Sequence, residues 1–261
     1  MIPKKIHYCW FGRNPLPELA VQCINSWKKY CPVYEIIEWN EDNFDVSINS
    51  YVSEAYNAKK WAFVTDYVRL YALVNCGGIY MDTDVEVIKP LDVFLKEKSF
   101  SGFETPKTIQ TGIMASEKDS PFFKELLSQY DTRHFVRKDG SYDETTNVYT
   151  ITKYFLQKGL ILNNTQQCIN GFTLYPQEYF CPKDVQSGLI MKTKRTYTIH
   201  HFAGSWNSEK EKKWNALEKR LCRNKVGKQF MNSKPVRLFH LLYISGWKGV
   251  KWKIREAVKK A

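Results

Sequence analysis

The sequence predicts an α/β fold in which helices cover a mostly parallel sheet. In the first half, short apolar runs of strand type alternate with longer segments that have helical apolar spacing. The chain has 261 residues and 43% hydrophobic residues, enough for a sizeable buried core. From residue 207 onward the composition shifts to Lys, Arg and Trp. We therefore expect a catalytic domain over 1–207 and a basic, aromatic-rich helical C-terminal appendage over 208–261.

The first elements are predicted from runs that differ in apolar period. The run "KKIHYCWFG" predicts a buried first strand, and "YEIIEWN" predicts a second. Between them, residues 18–30 carry apolar side chains at helical spacing. Residues 51–75 predict one long helix, and Gly77-Gly78 follows as a C-terminal stop.

Later elements follow the same alternation. The runs "SFSGFE" and "TGIMAS" predict short strands, and residues 121–130 and 145–158 predict helices. The run "TYTIHHFAGSW" predicts a late strand that ends in a polar loop.

Charge is distributed unevenly along the chain. From Lys192 to the end there are 19 Lys+Arg and 4 Asp+Glu, a net charge of +15, whereas the preceding part sums to −3. A basic helix with aromatic anchors suits an interface with anionic lipids, and an appendage packed on the catalytic domain is the alternative. We therefore expect an anionic membrane surface as a partner of the tail.

Cysteine usage and the start of the chain bear on location. Seven scattered cysteines without a C-x-x-C pair favour free thiols in a reducing compartment. The start "MIPKKIHYCWFGRNP" has too short an apolar run for a secretory signal. These features predict a cytoplasmic protein, at the inner face of the cell membrane if the tail binds lipid.

An acidic motif interrupts a segment that otherwise suits the core. In "GGIYMDTDVEVI" one strand face is apolar, and the other carries Tyr80, Asp82, Asp84 and Glu86. We expect a single strand here, with the two aspartates near its carboxyl end, where α/β folds bind ligands. Two such carboxylates can share Mg²⁺ or Mn²⁺, although a solvated edge strand is the alternative.

The helix before this motif carries a pair of charges on an almost wholly apolar surface. Asp66 and Arg69 are three residues apart and therefore share one face. A structural ion pair and a pair that contacts a sugar diphosphate are both consistent with this spacing.

The run "AFVTDYVRLYALVNCGGIYMDTDVEVIKPLD" closely resembles the DXD sugar-binding region of glycosyltransferase family 32. This family includes fungal mannosyltransferases and bacterial capsule and lipopolysaccharide transferases, and the clostridial toxin glucosyltransferase domains are distantly similar. The resemblance implies a GT-A type fold and a metal-dependent hexosyltransferase that uses a nucleoside-diphosphate sugar. It implies retention of anomeric configuration; inversion, with Glu104 or Asp143 as the base, is the alternative. We expect UDP-sugars first and GDP-sugars second as donors.

The resemblance also implies roles for particular residues. Asp66 and Arg69 match the residues that contact the donor sugar and its diphosphate. Asp82 matches a carboxylate near the ribose and the metal, and Asp84 matches the direct ligand of Mn²⁺ or Mg²⁺. Trp10, after the first strand, matches the aromatic residue that stacks on the base.

Other candidates lie in the late loop and at the flanks of the central strands. His201, in "HHFAGSW", resembles the third metal ligand of related enzymes, and His200 is expected to point the other way. Trp206 is expected over the diphosphate, with Ser205 or Asn207 as further oxygen donors. Glu104, Gln110 and Asn147 are acceptor-side candidates, although each residue type is common at caps and surfaces.

Two other functions fit part of the sequence. A D-x-D phosphatase needs Thr or Val two residues after the second aspartate, where this chain has Glu86. A nucleic-acid-binding protein would use the basic tail but leaves the acidic cluster unexplained. We therefore expect a nucleotide-sugar donor and a saccharide acceptor, free or lipid-linked, as partners in polysaccharide synthesis, and no nucleic acid.

Overall fold

The computed structural model describes residues 1–204 and 209–244. The chain divides into two compact units, the first formed by Met1–Pro182 with Lys192–His201 and the second by Lys183–Met191 with Phe202–Ala261. The predicted boundary at 207 and the candidate residue Trp206 lie outside the described residues, as do Ser205 and Asn207.

The first unit is built on an eight-stranded sheet and a separate two-stranded sheet. The large sheet has the order β2-β1-β3-β7-β5-β9-β8, with β6 paired to β5, and β4 pairs with β10. The strands are β1 (Lys5–Cys9), β2 (Glu35–Trp39), β3 (Gly78–Met81), β4 (Val85–Val87), β5 (Ser99–Thr105), β6 (Thr108–Ile109), β7 (Ile113–Ser116), β8 (Gln167–Ile169), β9 (Phe172–Tyr175) and β10 (Thr198–His200).

The predicted α/β class is confirmed, but the sheet is mixed rather than mostly parallel. β1 pairs in parallel with β2 and β3, and β5 pairs in parallel with β9. β7 lies antiparallel between β3 and β5. Short connections force some antiparallel pairs, because parallel neighbours need a long crossover. Asn170-Gly171, both at positive φ, form the two-residue turn between β8 and β9.

The helices of the first unit are α1 (Glu18–Tyr30), α2 (Ser50–Asn57), α3 (Trp61–Cys76), α4 (Pro121–Ser128), α5 (Asn147–Gln157) and α6 (Gln177–Phe180). Of these, α1, α4 and α5 lie close to the predicted positions, and α6 was not predicted. A 3-10 turn covers Asp92–Phe94.

The single helix predicted over 51–75 is wrong, because the structure has α2 and α3 there. The break falls at residues 58–60, where Lys59 adopts φ 55°, outside the helical region. Gly77 ends α3 as predicted: its φ is 63° and its N–H donates to Leu73 O.

The single acidic strand predicted over 77–88 is also wrong. β3 ends at Met81, residues 82–84 form a turn, and β4 belongs to the two-stranded sheet with β10. The backbone N–H of Val85 donates to Asp82 O at 3.0 Å and closes the turn. Because the aspartates lie in a turn between two sheets, their side chains are not confined to one strand face.

Two apolar clusters cover the two faces of the large sheet. Ile79 and Met81 of β3 point into the cluster that contains Trp27 of α1, and Trp27 Nε1 donates to Val85 O at 2.7 Å. Tyr80 points to the opposite face, into the cluster that contains Leu70 of α3. Alternation along β3 therefore directs Tyr80 toward α3, the helix that carries Arg69.

The second unit is helical over much of its described part. It contains α7 (Glu209–Leu221), α8 (Lys225–Met231) and a helical segment at residues 234–244. A small core contains Trp214, Cys222 and Met231. Among the described residues, no helix combines the length and apolar character needed to cross a membrane.

Candidate metal and donor site

Two aspartates and one histidine converge beyond the end of β3. One ligand atom from each of Asp82, Asp84 and His200 lies within 4.8 Å of the others. His200 Nε2 is 3.3 Å from Asp84 Oδ1 and 4.0 Å from Asp82 Oδ2. Carboxylate oxygens with one imidazole nitrogen suit a divalent cation such as Mn²⁺. We call these three residues the acidic triad.

His200 reaches the triad because β10 pairs with β4. In this antiparallel ladder His200 lies opposite Val85, and the backbone N–H of His201 donates to Asp84 O at 2.9 Å. Burial alone would lower the pKa of His200, but the charge of Asp84 and hydrogen bonding raise it above its ordinary value.

The structure places His200, and not His201, beside the two aspartates. His201 Nε2 instead lies 2.9 Å from Glu86 Oε2, outside the acidic triad. The two histidines are neighbours at the end of an extended segment, so their side chains leave it in different directions.

Gly112 makes room for the triad. A Cβ atom at this position would lie 2.9 Å from His200 Nδ1 and 3.4 Å from Asp82 Oδ2. Gly112 also accepts a hydrogen bond from the backbone N–H of Asp82 at 2.8 Å. A larger side chain at Gly112 would therefore crowd two members of the triad.

Asp66 and Arg69 form a buried ion pair next to the triad. Arg69 Nη2 is 3.2 Å from Asp66 Oδ1 and 3.4 Å from Asp82 Oδ1. Its Nη1 donates to Thr111 O at 2.8 Å, which fixes the guanidinium against the loop before β7. The ion pair expected from the spacing is thus present, and it is joined to the D-x-D turn through Asp82.

Asn147 holds Asp66 from the start of α5. Its backbone N–H donates to Asp66 Oδ2 at 3.2 Å, and its side-chain Nδ2 donates to Asp66 O at 2.7 Å. Burial raises the pKa of Asp66 to about 6, while Arg69 and this N–H act in the opposite direction. Asn147, expected on the acceptor side, therefore contacts the Asp66 end of the site.

The two other acceptor-side candidates differ in burial. Glu104 is half-buried, and burial raises its pKa while the charge of His200 acts in the opposite direction. Gln110 is fully buried, and among the described residues its side-chain amide has no hydrogen-bond partner.

Trp10 follows the last residue of β1 and is half-buried. Its Nε1 donates to Asn14 O at 2.6 Å, which fixes the indole near the loop after β1. Because β1 and β3 are parallel neighbours, Trp10 and Asp82 leave the sheet at the same edge.

Two residues in this region were missed by the sequence analysis. Tyr80 donates its hydroxyl to Asp82 Oδ1 at 2.7 Å, and burial raises the pKa of Cys181, whose thiol also interacts with His200. The Tyr in Gly-Gly-Ile-Tyr could have been identified, since it is two residues before Asp82 in an extended segment. Cys181 had no local signal.

The sequence matches a known family over the part that carries this site. Residues 17–101 match the glycosyltransferase sugar-binding region containing DXD motif. Residues 17–101 are therefore similar to a DXD sugar-binding region, in agreement with the resemblance seen in the sequence, and the expected α/β class is confirmed.

Particular relatives are fungal proteins. Inositol phosphoceramide mannosyltransferase 3 of Schizosaccharomyces pombe is 29% identical over 134 residues, which are 48% of this chain and 36% of that protein. Inositol phosphoceramide mannosyltransferase 1 of the same organism is 27% identical over 154 residues, 52% of this chain and 46% of that protein. The chain thus spans less than half the length of these relatives.

Solved structures share only a distant likeness. A PaToxG glycosyltransferase has a TM-score of 0.43 and 19% identity, covering 59% of this chain and 70% of that chain. A glycosyltransferase involved in glycosylation of the major capsid of PBCV-1 has a TM-score of 0.42 and 15% identity, covering 82% of this chain and 97% of that chain.

Proposed function

We propose that the protein is a metal-dependent glycosyltransferase that moves a sugar from a nucleoside-diphosphate sugar to a saccharide acceptor. The observation that carries the proposal is the convergence of Asp82, Asp84 and His200 within 4.8 Å, next to a matched DXD region. The donor set fits Mn²⁺ or Mg²⁺. A cation bound there would act as a Lewis acid toward the departing diphosphate.

The residues around the triad suit the two sides of such a reaction. The bond that breaks joins the anomeric carbon to a diphosphate oxygen, and the acceptor hydroxyl oxygen forms the new bond. We propose that Trp10 stacks on the base, which its position at the sheet edge supports, and that Asp66 with Arg69 shapes the donor site. We propose that Glu104 lies on the acceptor side, because the charges of His200 and Asp82 both act on its pKa. We propose retention, with the hydroxyl proton passing to the departing phosphate.

The donor and the pathway are further parts of the proposal. The names of the fungal relatives favour a mannosyl donor, so GDP-mannose joins UDP-glucose and UDP-galactose as the compounds to test first. We propose a role in bacterial capsule, exopolysaccharide or lipopolysaccharide synthesis, at the cytoplasmic face of the cell membrane, with an acceptor that is saccharide or lipid-linked saccharide.

A hydrolysis panel tests the activity. The wild-type chain, incubated with each nucleotide sugar and Mn²⁺, should release one nucleoside diphosphate, and release should stop when the metal is chelated. Asp84→Asn should reduce the rate by at least about 100-fold. Asp119→Asn is the matched control, because Asp119 is an exposed aspartate paired with Lys124 in the same unit. Equal rates for wild type and Asp84→Asn would contradict the proposal.

We also propose that the second unit docks on anionic lipid. An open surface depression of about 560 Å³ on this unit is lined by Lys225, Lys228 and Lys234 together with polar side chains. Exposed apolar side chains occur in the same segments: Val226 is 78% exposed and Phe230 57% exposed. Basic side chains beside exposed apolar ones suit the headgroup region of an anionic membrane.

A further inference from the structure

A buried tyrosine, Tyr80, contacts both Asp82 of the acidic triad and the neighbouring Arg69. Tyr80, 1% exposed, directs its ring toward α3, and the Arg69 guanidinium lies 4.7 Å from the ring centroid. Its hydroxyl donates to Asp82 Oδ1 at 2.7 Å. A hydrogen bond to a carboxylate is stronger and more directional than one between neutral groups. Tyr80 therefore contacts both the Arg69 guanidinium and the Asp82 carboxylate.

The two oxygens of Asp82 face different partners. Oδ1 accepts from the Tyr80 hydroxyl and lies 3.4 Å from Arg69 Nη2. Oδ2 is the oxygen nearer to His200, at 4.0 Å from Nε2. Because two donors hold Oδ1, the rotation of the Asp82 carboxylate is set, and Oδ2 points toward His200.

The same contacts define what Arg69 does. Its nitrogen atoms contact two backbone carbonyls, Thr65 O at 3.3 Å and Thr111 O at 2.8 Å, and the carboxylates of Asp66 and Asp82. Most of the guanidinium donors are thus used within the chain, and the side chain is 7% exposed. This geometry favours a guanidinium that orients Asp82 over one that is directed at a ligand.

We infer that Tyr80 is a positioning residue for the metal site: with Arg69, it holds Asp82 Oδ1 so that Oδ2 is presented to a divalent cation. The inference rests on the proposed function. Residues that orient metal ligands by hydrogen bonds are worth about 10- to 100-fold in metal affinity. Tyr80→Phe keeps the ring under Arg69 and removes only the hydroxyl, so we expect Mn²⁺ binding to weaken by about 10-fold.

Calorimetric titration of the full chain with Mn²⁺ measures the metal affinity and tests this inference. Tyr8→Phe is the matched control, because Tyr8 is also buried and donates its hydroxyl to a carboxylate, Glu38 Oε2 at 2.5 Å, elsewhere in the same unit. Thermal unfolding of each variant checks that it folds. Weaker Mn²⁺ binding in Tyr80→Phe but not in Tyr8→Phe supports the inference. It is overturned if Tyr80→Phe binds Mn²⁺ as tightly as wild type, or if Tyr80→Phe and Tyr8→Phe lose the same affinity.

A kinetic measurement separates orientation of Asp82 from general structural damage. The Mn²⁺ concentration for half-maximal hydrolysis of the nucleotide sugar should rise about 10-fold in Tyr80→Phe, while kcat at saturating Mn²⁺ stays within about 2-fold of wild type. A fall in kcat with no change in metal dependence would contradict the inference. If Asp84→Asn also binds Mn²⁺ like wild type, the proposed metal site itself is wrong, an outcome distinct from failure of Tyr80→Phe alone.

Discussion

Individual side chains in this site gain their properties from burial and from one or two charged neighbours. Asp66 is the clearest case, because desolvation raises its pKa to about 6 although Arg69 lies 3.2 Å away. The folded chain therefore retains a proton on Asp66 over a pH range in which the unfolded chain has lost it.

This shift predicts how Asp66 affects stability with pH. Between about pH 4 and pH 6 the folded state binds more protons, so the free energy of unfolding falls as pH rises. The difference in unfolding free energy between wild type and Asp66→Asn should fall by up to about 3 kcal/mol across this range and change little above it. Urea unfolding of the metal-free chain at a series of pH values measures it. A difference that is constant or rises with pH would contradict the shift.

The neighbouring histidines provide a second prediction at this scale. His200→Gln should weaken Mn²⁺ binding by at least about 10-fold, because His200 Nε2 belongs to the acidic triad. His201→Gln should change it by less than about 2-fold, because His201 contacts Glu86 instead. Calorimetric titration of both variants distinguishes them. A larger loss in His201→Gln than in His200→Gln would support His201, the ligand expected from the sequence.

At the scale of elements, the glycine that ends α3 can be compared with a loop glycine of similar backbone conformation. Gly77 has φ 63°, and a Cβ there would lie 2.5 Å from the backbone N of Lys118. Gly140 also has positive φ, at 77°, but a Cβ atom added there would meet no other atom within 4 Å. Both glycines therefore adopt a positive φ, but only at Gly77 would a Cβ atom clash with a neighbouring segment.

Alanine at each glycine separates these two costs. Gly140→Ala should lower the free energy of unfolding by about 1 kcal/mol, from backbone strain alone. Gly77→Ala should lower it by about 3 kcal/mol or more, because the strain adds to a clash with backbone. Urea unfolding measures both values. Similar losses in the two variants would show that the contact with Lys118 is not restrictive.

Most elements of the first unit could be predicted from apolar period, whereas their interruptions could not. The helix break at Lys59 has no Gly or Pro, and the turn at Asp82–Asp84 lies within an uninterrupted alternating pattern. Both depend on packing against distant segments. The choice of His200 over His201 likewise depends on the register between β4 and β10, which local sequence does not encode.

At the scale of the whole molecule, most of the basic charge lies outside the part of the sequence that carries the two aspartates of the site. Lys192 to the end has a net charge of +15 from 19 Lys+Arg and 4 Asp+Glu, and contributes only His200 to the acidic triad. Candidate site residues could be predicted here because a family resemblance joins distant segments. Tyr80 lies within the matched run but was given no role from sequence, and Cys181 belongs to no such motif, so the contacts of both required the structure.

The proposed lipid docking predicts a charge-specific effect. Lys225→Glu/Lys234→Glu in the full chain should reduce binding to vesicles containing phosphatidylglycerol by at least about 10-fold, because two cations near the surface become anions. Lys96→Glu/Lys153→Glu, two exposed lysines of the first unit, changes net charge equally and should have little effect. Co-sedimentation measures both. Equal effects of the two pairs, or binding to single-stranded RNA in place of vesicles, would contradict lipid docking.

The central claim is that Asp82, Asp84 and His200 hold the cation on which sugar transfer depends. Anomalous diffraction at the manganese edge, from crystals soaked with Mn²⁺ and a nucleoside diphosphate, tests it most directly. We expect one strong peak within coordination distance of all three side chains, lost in Asp84→Asn. A peak beside His201 and Glu86, or none at the triad in crystals that contain the nucleotide, would contradict it.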